Sequence, residues 1–171
     1  GQPFVGASGA ELNKQLHEAG VMRTECFVSN VVNHRPPDNQ LKHWIAFQKK
    51  DRTPAHVEWR GLWVKPILAE GHRALLAEIA AVRPNLIVAT GNLALHALVE
   101  GCTKLGKNGL SGAMKWRGSQ LRMDTKPDIF SASAPSTKPK MIPTLHPAYI
   151  LRDFGYRSAA VTDFRRAARH M

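Results

Sequence analysis

Cysteine is nearly absent. The 171 residues hold two, Cys26 and Cys102, and they form no Cys-x-x-Cys pair. Cys26 lies in an apolar run and reads as a small buried hydrophobe; this usage fits a reducing compartment. No run is apolar enough to span a membrane, and no secretory leader is visible. The first residue is Gly rather than Met, so a natural N-terminal segment is expected to be missing. Neither GxGxxG nor GxxxxGK[ST] occurs, which weakens any reading as a general nucleotide-binding protein. Acidic residues are few: Asp and Glu number 13 against 24 Lys and Arg, a formal charge of +11. A basic excess of this size has a plain reading, a solvated cationic surface. Its sharper reading is a polyanionic partner, usually nucleic acid, because each cation that replaces a phosphate counterion gains the entropy of its release.

What remains is ordinary globular material, 43% hydrophobic and 22% charged, enough for one domain with a sizeable core. After an opening loop, a helix is expected over residues 8 to about 19, capped by Ser8 with Glu11 at capping-box spacing. Leu12, Leu16 and Ala19 form its inner stripe and Gly20 stops it. Residues 26–32 are β-branched and strand-like, and Arg35-Pro36-Pro37 ends that segment. Residues 38 to about 65 hold three of the four tryptophans and read as an excursion from the fold. A helix is predicted over 66–82, with Pro66 in its first turn. Residues 86–89 are a continuous apolar run, as in a strand buried on both faces. Gly91 turns it into a helix over 93–99. A Gly-rich basic loop spans 101–118. Short strands are expected at 120–123 and 141–145, separated by a surface loop over 124–139, and a basic helix covers about 156–168. This alternation predicts an α/β fold: a three-layer sandwich with a mainly parallel central sheet of about four strands and helices on both faces.

In open α/β sheets ligands bind beyond the carboxyl ends of the strands. Asn30, Gly91 and His146 fall at three such ends, and Phe4 can approach the same crevice. These residue types suit a nucleobase. An aromatic ring stacks, an Asn amide both donates and accepts on a Watson–Crick edge, and a His can donate to a carbonyl oxygen gaining negative charge. Singly, each also has a plainer reading: Asn30 as a turn-former, His146 as structural, Phe4 as a core plug. Their combination on one sheet edge, with the positive charge, favours the pocket.

Four blocks carry a family resemblance: Gly1-Gln-Pro-Phe-Val-Gly-Ala-Ser-Gly9, Val28-Ser-Asn-Val-Val-Asn-His-Arg-Pro-Pro37, Arg83-Pro-Asn-Leu-Ile-Val-Ala-Thr-Gly91 and Thr144-Leu-His-Pro-Ala-Tyr-Ile-Leu-Arg152. In this order they resemble the motifs of the uracil-DNA glycosylase superfamily, nearest to family 4, the iron–sulfur type, whose domain also occurs joined to phage-type DNA polymerases. Arg117-Gly118 and Val161-Thr-Asp163 match weaker landmarks. The resemblance implies that Phe4 stacks on uracil, Asn30 binds its polar edge, and His146 stabilises the leaving uracil anion at O2. It makes residues 148–152, including Tyr149, a minor-groove loop in which Ile150 or Leu151 wedges into the stack. Lys115, Arg117 and Arg152 are the candidate phosphate contacts.

Two departures bear on function. The family's acidic Gly-Glu-Pro-Gly-like motif, and the central strand that carries it, would lie upstream of Gly1; the single domain over 1–171 then reads as an N-terminally truncated fragment. The nearest carboxylates here, Asp38 and Asp153, read as exposed loop residues. Secondly, His34 and His72 stand where family 4 places cluster cysteines, so the expectation is no cofactor and no iron–sulfur cluster, the two histidines being satisfied polar residues; a mixed Cys/His site would need upstream cysteines. The expected partners are DNA, uracil and a polymerase domain in the same chain, with no membrane. The expected state is a monomer in the cytoplasm of a bacterium or a phage-infected cell. The alternative is a non-catalytic DNA-binding or polymerase-accessory domain that keeps the fold.

Overall fold

The computed structural model describes residues 3–124 and 139–171. Most of the loop expected over 124–139 therefore lies outside the described residues. Three strands form the central sheet: β3 (Leu86–Thr90), β7 (Lys140–Thr144) and β6 (Leu121–Arg122), in the order β3-β7-β6. β3 and β7 run parallel, with Leu86 opposite Lys140 and Thr90 opposite Thr144. β6 is antiparallel to β7. The expectation of about four mainly parallel strands is thus corrected to three strands with one parallel pair among the described residues. The absent member is the segment over 26–32. Among the described residues it has no ladder partner, and a strand exists only through bonds to a neighbour. An apolar slot of about 440 Å³ is lined on one side by Phe27 to Val31 and on another by Leu86 to Thr90 of β3.

Helices cover both faces. Alternation along a strand sends successive side chains to opposite sides. Ile87 and Ala89 accordingly join the larger core, with Leu68, Leu75 and Ile79 of α2 (Pro66–Val82) and Leu95 and Leu98 of α3 (Gly91–Leu98). Val88 joins the other cluster, with Leu12 and Leu16 of α1 (Ala7–Glu18) and Phe164 of α6 (Arg157–Ala168). Buried positions Leu68, His72, Leu75, Leu76 and Ile79 recur at three- and four-residue spacing, and α2 matches its predicted span. Arg83 ends it in the left-handed conformation, φ 51°.

α1 begins earlier than predicted, and its cap differs. The N-cap position is Gly6, with no side-chain cap, and Ser8 lies inside the helix. Glu11 is not a capping residue. It is buried, accepts from Gln15 Nε2 (2.8 Å) and pairs with Arg157 Nε (2.9 Å), tying α1 to α6. A Cβ at Gly9 would sit 1.6 Å from the Phe4 carbonyl oxygen, so the opening loop folds directly onto the helix only because Gly9 has no side chain.

The excursion contains three short 3-10 turns and a hairpin, β1 (Val57–Trp59) with β2 (Leu62–Val64). Trp44, Ile45, Trp59, Leu62 and Val64 are buried and belong to the larger core. The excursion is therefore part of the domain. A second hairpin, β4 (Lys104–Gly106) with β5 (Gly109–Ser111), and two single-turn helices, α4 (Ala113–Trp116) and α5 (Pro147–Ile150), complete the fold. Among the described residues no helix is long and apolar enough to cross a membrane.

Candidate functional site

The parallel pair β3 and β7 ends in two of the candidate positions side by side. β3 hands the chain to Gly91, which opens α3; β7 hands it through Leu145 to His146, which opens α5. Gly91 has φ +86°, and a Cβ there would lie 2.9 Å from His146 Cβ. The absence of a side chain at residue 91 is what lets the imidazole sit against the strand end. Phe4, delivered by the loop that wraps onto Gly9, brings its ring centroid to 5.5 Å from that of His146, with the planes 31° apart. Phe4 itself adopts φ 57°, unusual for a residue with a side chain.

The protonation of His146 follows from its bonds. Its Nδ1 accepts from the Ala148 backbone N–H at 3.1 Å. Burial pushes its pKa below the usual histidine value, and the Arg152 guanidinium pushes the same way. The ring is therefore neutral near pH 7, and an imidazole that accepts at Nδ1 carries its proton on Nε2. The site thus offers one N–H donor on a ring that lies beside an aromatic side chain.

Asn30 is half-buried and lines the slot together with Phe4 and Thr90. The structure sets His146 against Gly91 on one side and beside the Phe4 ring on the other, and puts Asn30 on the wall of the slot that Phe4 shares. The wedge candidates separate. Ile150 is fully buried against Leu145 and Ala160, whereas Leu151 is 48% exposed. Tyr149 is half-buried with its ring 5.7 Å from that of Tyr156. Lys115 and Arg152 are exposed, and Lys115 Nζ lies 5.2 Å from the Trp116 ring.

Arg117 is engaged inward. Its guanidinium grips Asp163 through Nε (3.1 Å) and Nη2 (2.9 Å), and Nη2 also donates to the Ala159 carbonyl. Thr144 Oγ1 donates to the same carboxylate at 2.8 Å, and Arg166 donates to the Gly118 carbonyl at 2.6 Å. Burial pushes the Asp163 carboxyl up, against the pull of Thr144 and Arg117. Asp163 is thereby the knot between α6, the end of α4 and the last residue of β7, two positions before His146. Sequence reasoning gave Asp163 no role beyond a weak landmark. A lone Asp amid apolar helix positions is the one signal that could have marked it as a buried charge with a partner.

Asp38 and Asp153 are exposed, and Asp38 pairs with His43 at 3.5 Å. His34 is exposed. His72 is buried, and its Nδ1 accepts from Trp59 Nε1 at 3.0 Å. Trp59 packs edge-on against both His72 and His96.

Comparison with known proteins places these residues in context. The chain is 33% identical over 157 residues to a type-4 uracil-DNA glycosylase of Thermotoga maritima, covering 90% of this chain and 59% of that protein. It is 29% identical over 152 residues to a type-4 uracil-DNA glycosylase of Pyrobaculum aerophilum, covering 89% and 60%. A third relative of the same description, from Archaeoglobus fulgidus, is 34% identical over 94 residues, 55% of this chain and 37% of its own length. The chain thus spans about 60% of the length of the first two relatives.

These names overturn one expectation. Type 4 is the iron–sulfur class, so the reading of a chain without a cluster does not stand. The described residues do not themselves assemble a ligand set for such a group. Cys26 and Cys102 belong to separate packing clusters, Cys26 donates its thiol to the Met22 carbonyl (3.5 Å), and His72 is turned to Trp59. Among the described residues no three His, Cys, Asp or Glu side chains converge as metal ligands. The model of the uracil DNA glycosylase superfamily matches residues 1–169, and the chain belongs to that superfamily.

Proposed function

We propose that this domain holds a uracil flipped out of DNA and hydrolyses its N-glycosidic bond. The observation that carries the reading is the neutral His146, its Nδ1 held by the Ala148 N–H and its ring set beside that of Phe4. A flipped base needs a stacking surface and polar groups for its edge. Phe4 supplies the first; Asn30 and His146 supply the second. Gly91 leaves room for the imidazole and, through it, for the base.

In the reaction the C1′–N1 bond breaks and its electron pair leaves with uracil as an anion. Water adds to C1′ and loses a proton. The anion's charge spreads onto O2, where a preorganised neutral donor stabilises it more in the transition state than in the ground state. His146 donates its Nε2–H there without transferring it. The same reaction builds positive charge on the sugar; the carboxylate that lines the slot with Phe4 is Glu25, and it is exposed. We assign that role to an acidic residue at the end of a strand seated between β3 and residues 27–31. The slot supports this: its walls are apolar, β3 has a free edge there among the described residues, and the partly exposed Phe27, Val82 and Met171 rim it. Phe4 lies at the slot, so a strand preceding it would deliver its last residue to the site.

A single-turnover cleavage assay on uracil-containing DNA tests this. Residues 1–171 alone should be slow, and a chain extended upstream should gain about 10²–10³-fold, the usual worth of one electrostatic partner. His146→Ala in the extended chain should cost a similar factor. An extended chain that binds uracil DNA and never cleaves it would instead establish a non-catalytic binding domain.

A further inference from the structure

The hairpin β4–β5 has no part in the site just described, yet it is held with unusual care. Its carriers are in α3. The Asn92 amide, one residue after Gly91, donates to the Leu110 carbonyl of β5 at 2.7 Å and accepts from the Ala113 N–H at 2.8 Å. His96 Nδ1 meets Thr103 Oγ1 at 2.6 Å. Across the hairpin Ser111 Oγ donates to the Lys104 carbonyl. At its base a Cβ on Gly112 would sit 2.3 Å from the Cys102 carbonyl oxygen, so the two strands close as tightly as backbone permits. Gly109 lies against the Phe47 ring of the excursion. The base of the hairpin is therefore pinned to the first turn of α3, at the same sheet edge as His146, which touches Gly91.

The pinned arm covers little. Lys104, Leu105, Gly106, Lys107 and Asn108 are all exposed. Residues 101–118 contain no Asp or Glu and four cations, of which only Arg117 is engaged with a carboxylate among the described residues. Two lysines are thus presented on a paired hairpin that carries no acidic residue of its own. Rotational freedom is the usual cost of a lysine contact; here the backbone carrying it is already ordered.

We propose that the β4–β5 hairpin is a DNA-backbone grip in which Lys104 and Lys107 meet phosphates flanking the nucleotide at the Phe4–His146 site, with Asn92 as the residue that positions the arm. The grip reads phosphate, not sequence. It rests on the DNA reading above but not on any chemistry of uracil.

The test measures binding of a uracil-free duplex oligonucleotide across a salt titration, by fluorescence anisotropy, for the protein, for Lys104→Ala/Lys107→Ala and for Lys49→Ala/Lys50→Ala on the excursion. Each phosphate contact on duplex DNA contributes about 0.9 to the slope of log K against log salt. The hairpin double variant should lose about 1.8 from that slope and bind several-fold more weakly at low salt, with its melting temperature unchanged. The excursion variant should keep the parent slope, and Lys104→Arg/Lys107→Arg should restore it. If the parent does not bind DNA, the functional reading has failed. If the parent binds and the hairpin variant keeps its slope, or the excursion variant loses as much, the grip is refuted.

Discussion

Replacing Gly91 with Ala probes the contact on which the site depends. Two separate penalties apply. Residue 91 has φ +86°, where a Cβ meets its own backbone, at about 1–2 kcal/mol. The new methyl would also lie 2.9 Å from His146 Cβ and 3.4 Å from Cδ2, an overpacking that typically costs about 1–3 kcal/mol. The sum, about 2–5 kcal/mol, corresponds to a melting temperature lower by roughly 10 °C for a chain of this length. Because the closest clash is with Cβ, turning the imidazole cannot relieve it; the backbone at residue 146 must shift and carry the ring with it, and a displacement near 1 Å in a positioned group costs about 10² in rate. Gly20→Ala is the matched control. It has φ +77° but nothing within 4 Å of the new Cβ, so it should cost only the backbone share and leave the site intact. The assays are thermal denaturation and single-turnover excision by the upstream-extended chain. Equal destabilisation by both variants, or full excision by Gly91→Ala, would show that the His146 contact is not what fixes residue 91 as glycine.

Two further outcomes follow from buried charge. Asp163→Ala leaves the Arg117 guanidinium and the Thr144 hydroxyl without their acceptor. It should destabilise by an amount toward the lower end of the ~3–5 kcal/mol typical of a broken buried pair, since Arg117 is partly exposed; Asp163→Asn should cost less. Urea denaturation measures both, and an unchanged midpoint for the Ala variant would remove Asp163 as the knot. The second concerns His96, whose pKa is pushed down to about 4 by burial and by Arg60. The unfolded chain takes up that proton near 6.5 while the folded chain resists it. Stability from this group is complete above about pH 6.5 and is lost as pH falls toward 4. His72 and His146 act in the same direction. The fall in melting temperature between pH 7 and pH 4.5 should shrink in His96→Asn; an identical fall in that variant would show that His96 is not buried neutral.

Local chemistry is legible in the residues themselves. The apolar spacing from Leu68 to Ile79 behind Pro66 is enough to give α2 its full span, because a helix is stabilised by contacts three and four residues apart and by one buried face. The run at 86–89 announces a strand for the same local reason, and the order of the blocks around Phe4, Asn30, Gly91 and His146 points to the superfamily. What the sequence could not decide depends on partners distant along the chain. Residues 26–32 are β-branched, but without a neighbour to bond they form no strand. Ile150 and Leu151 are adjacent and equally apolar, and only the packing of Leu145 and Ala160 buries the first and exposes the second. Arg117 looks like a surface cation until Asp163, 46 residues on, claims it. The excursion reads as an addition to the fold, yet Trp59 and Val64 bury it in the core. Propensity and periodicity act over one turn or one pleat, so sequence settles those; pairing, burial and ion-pair choice are set by residues far apart in the chain, and tertiary structure alone brings them together.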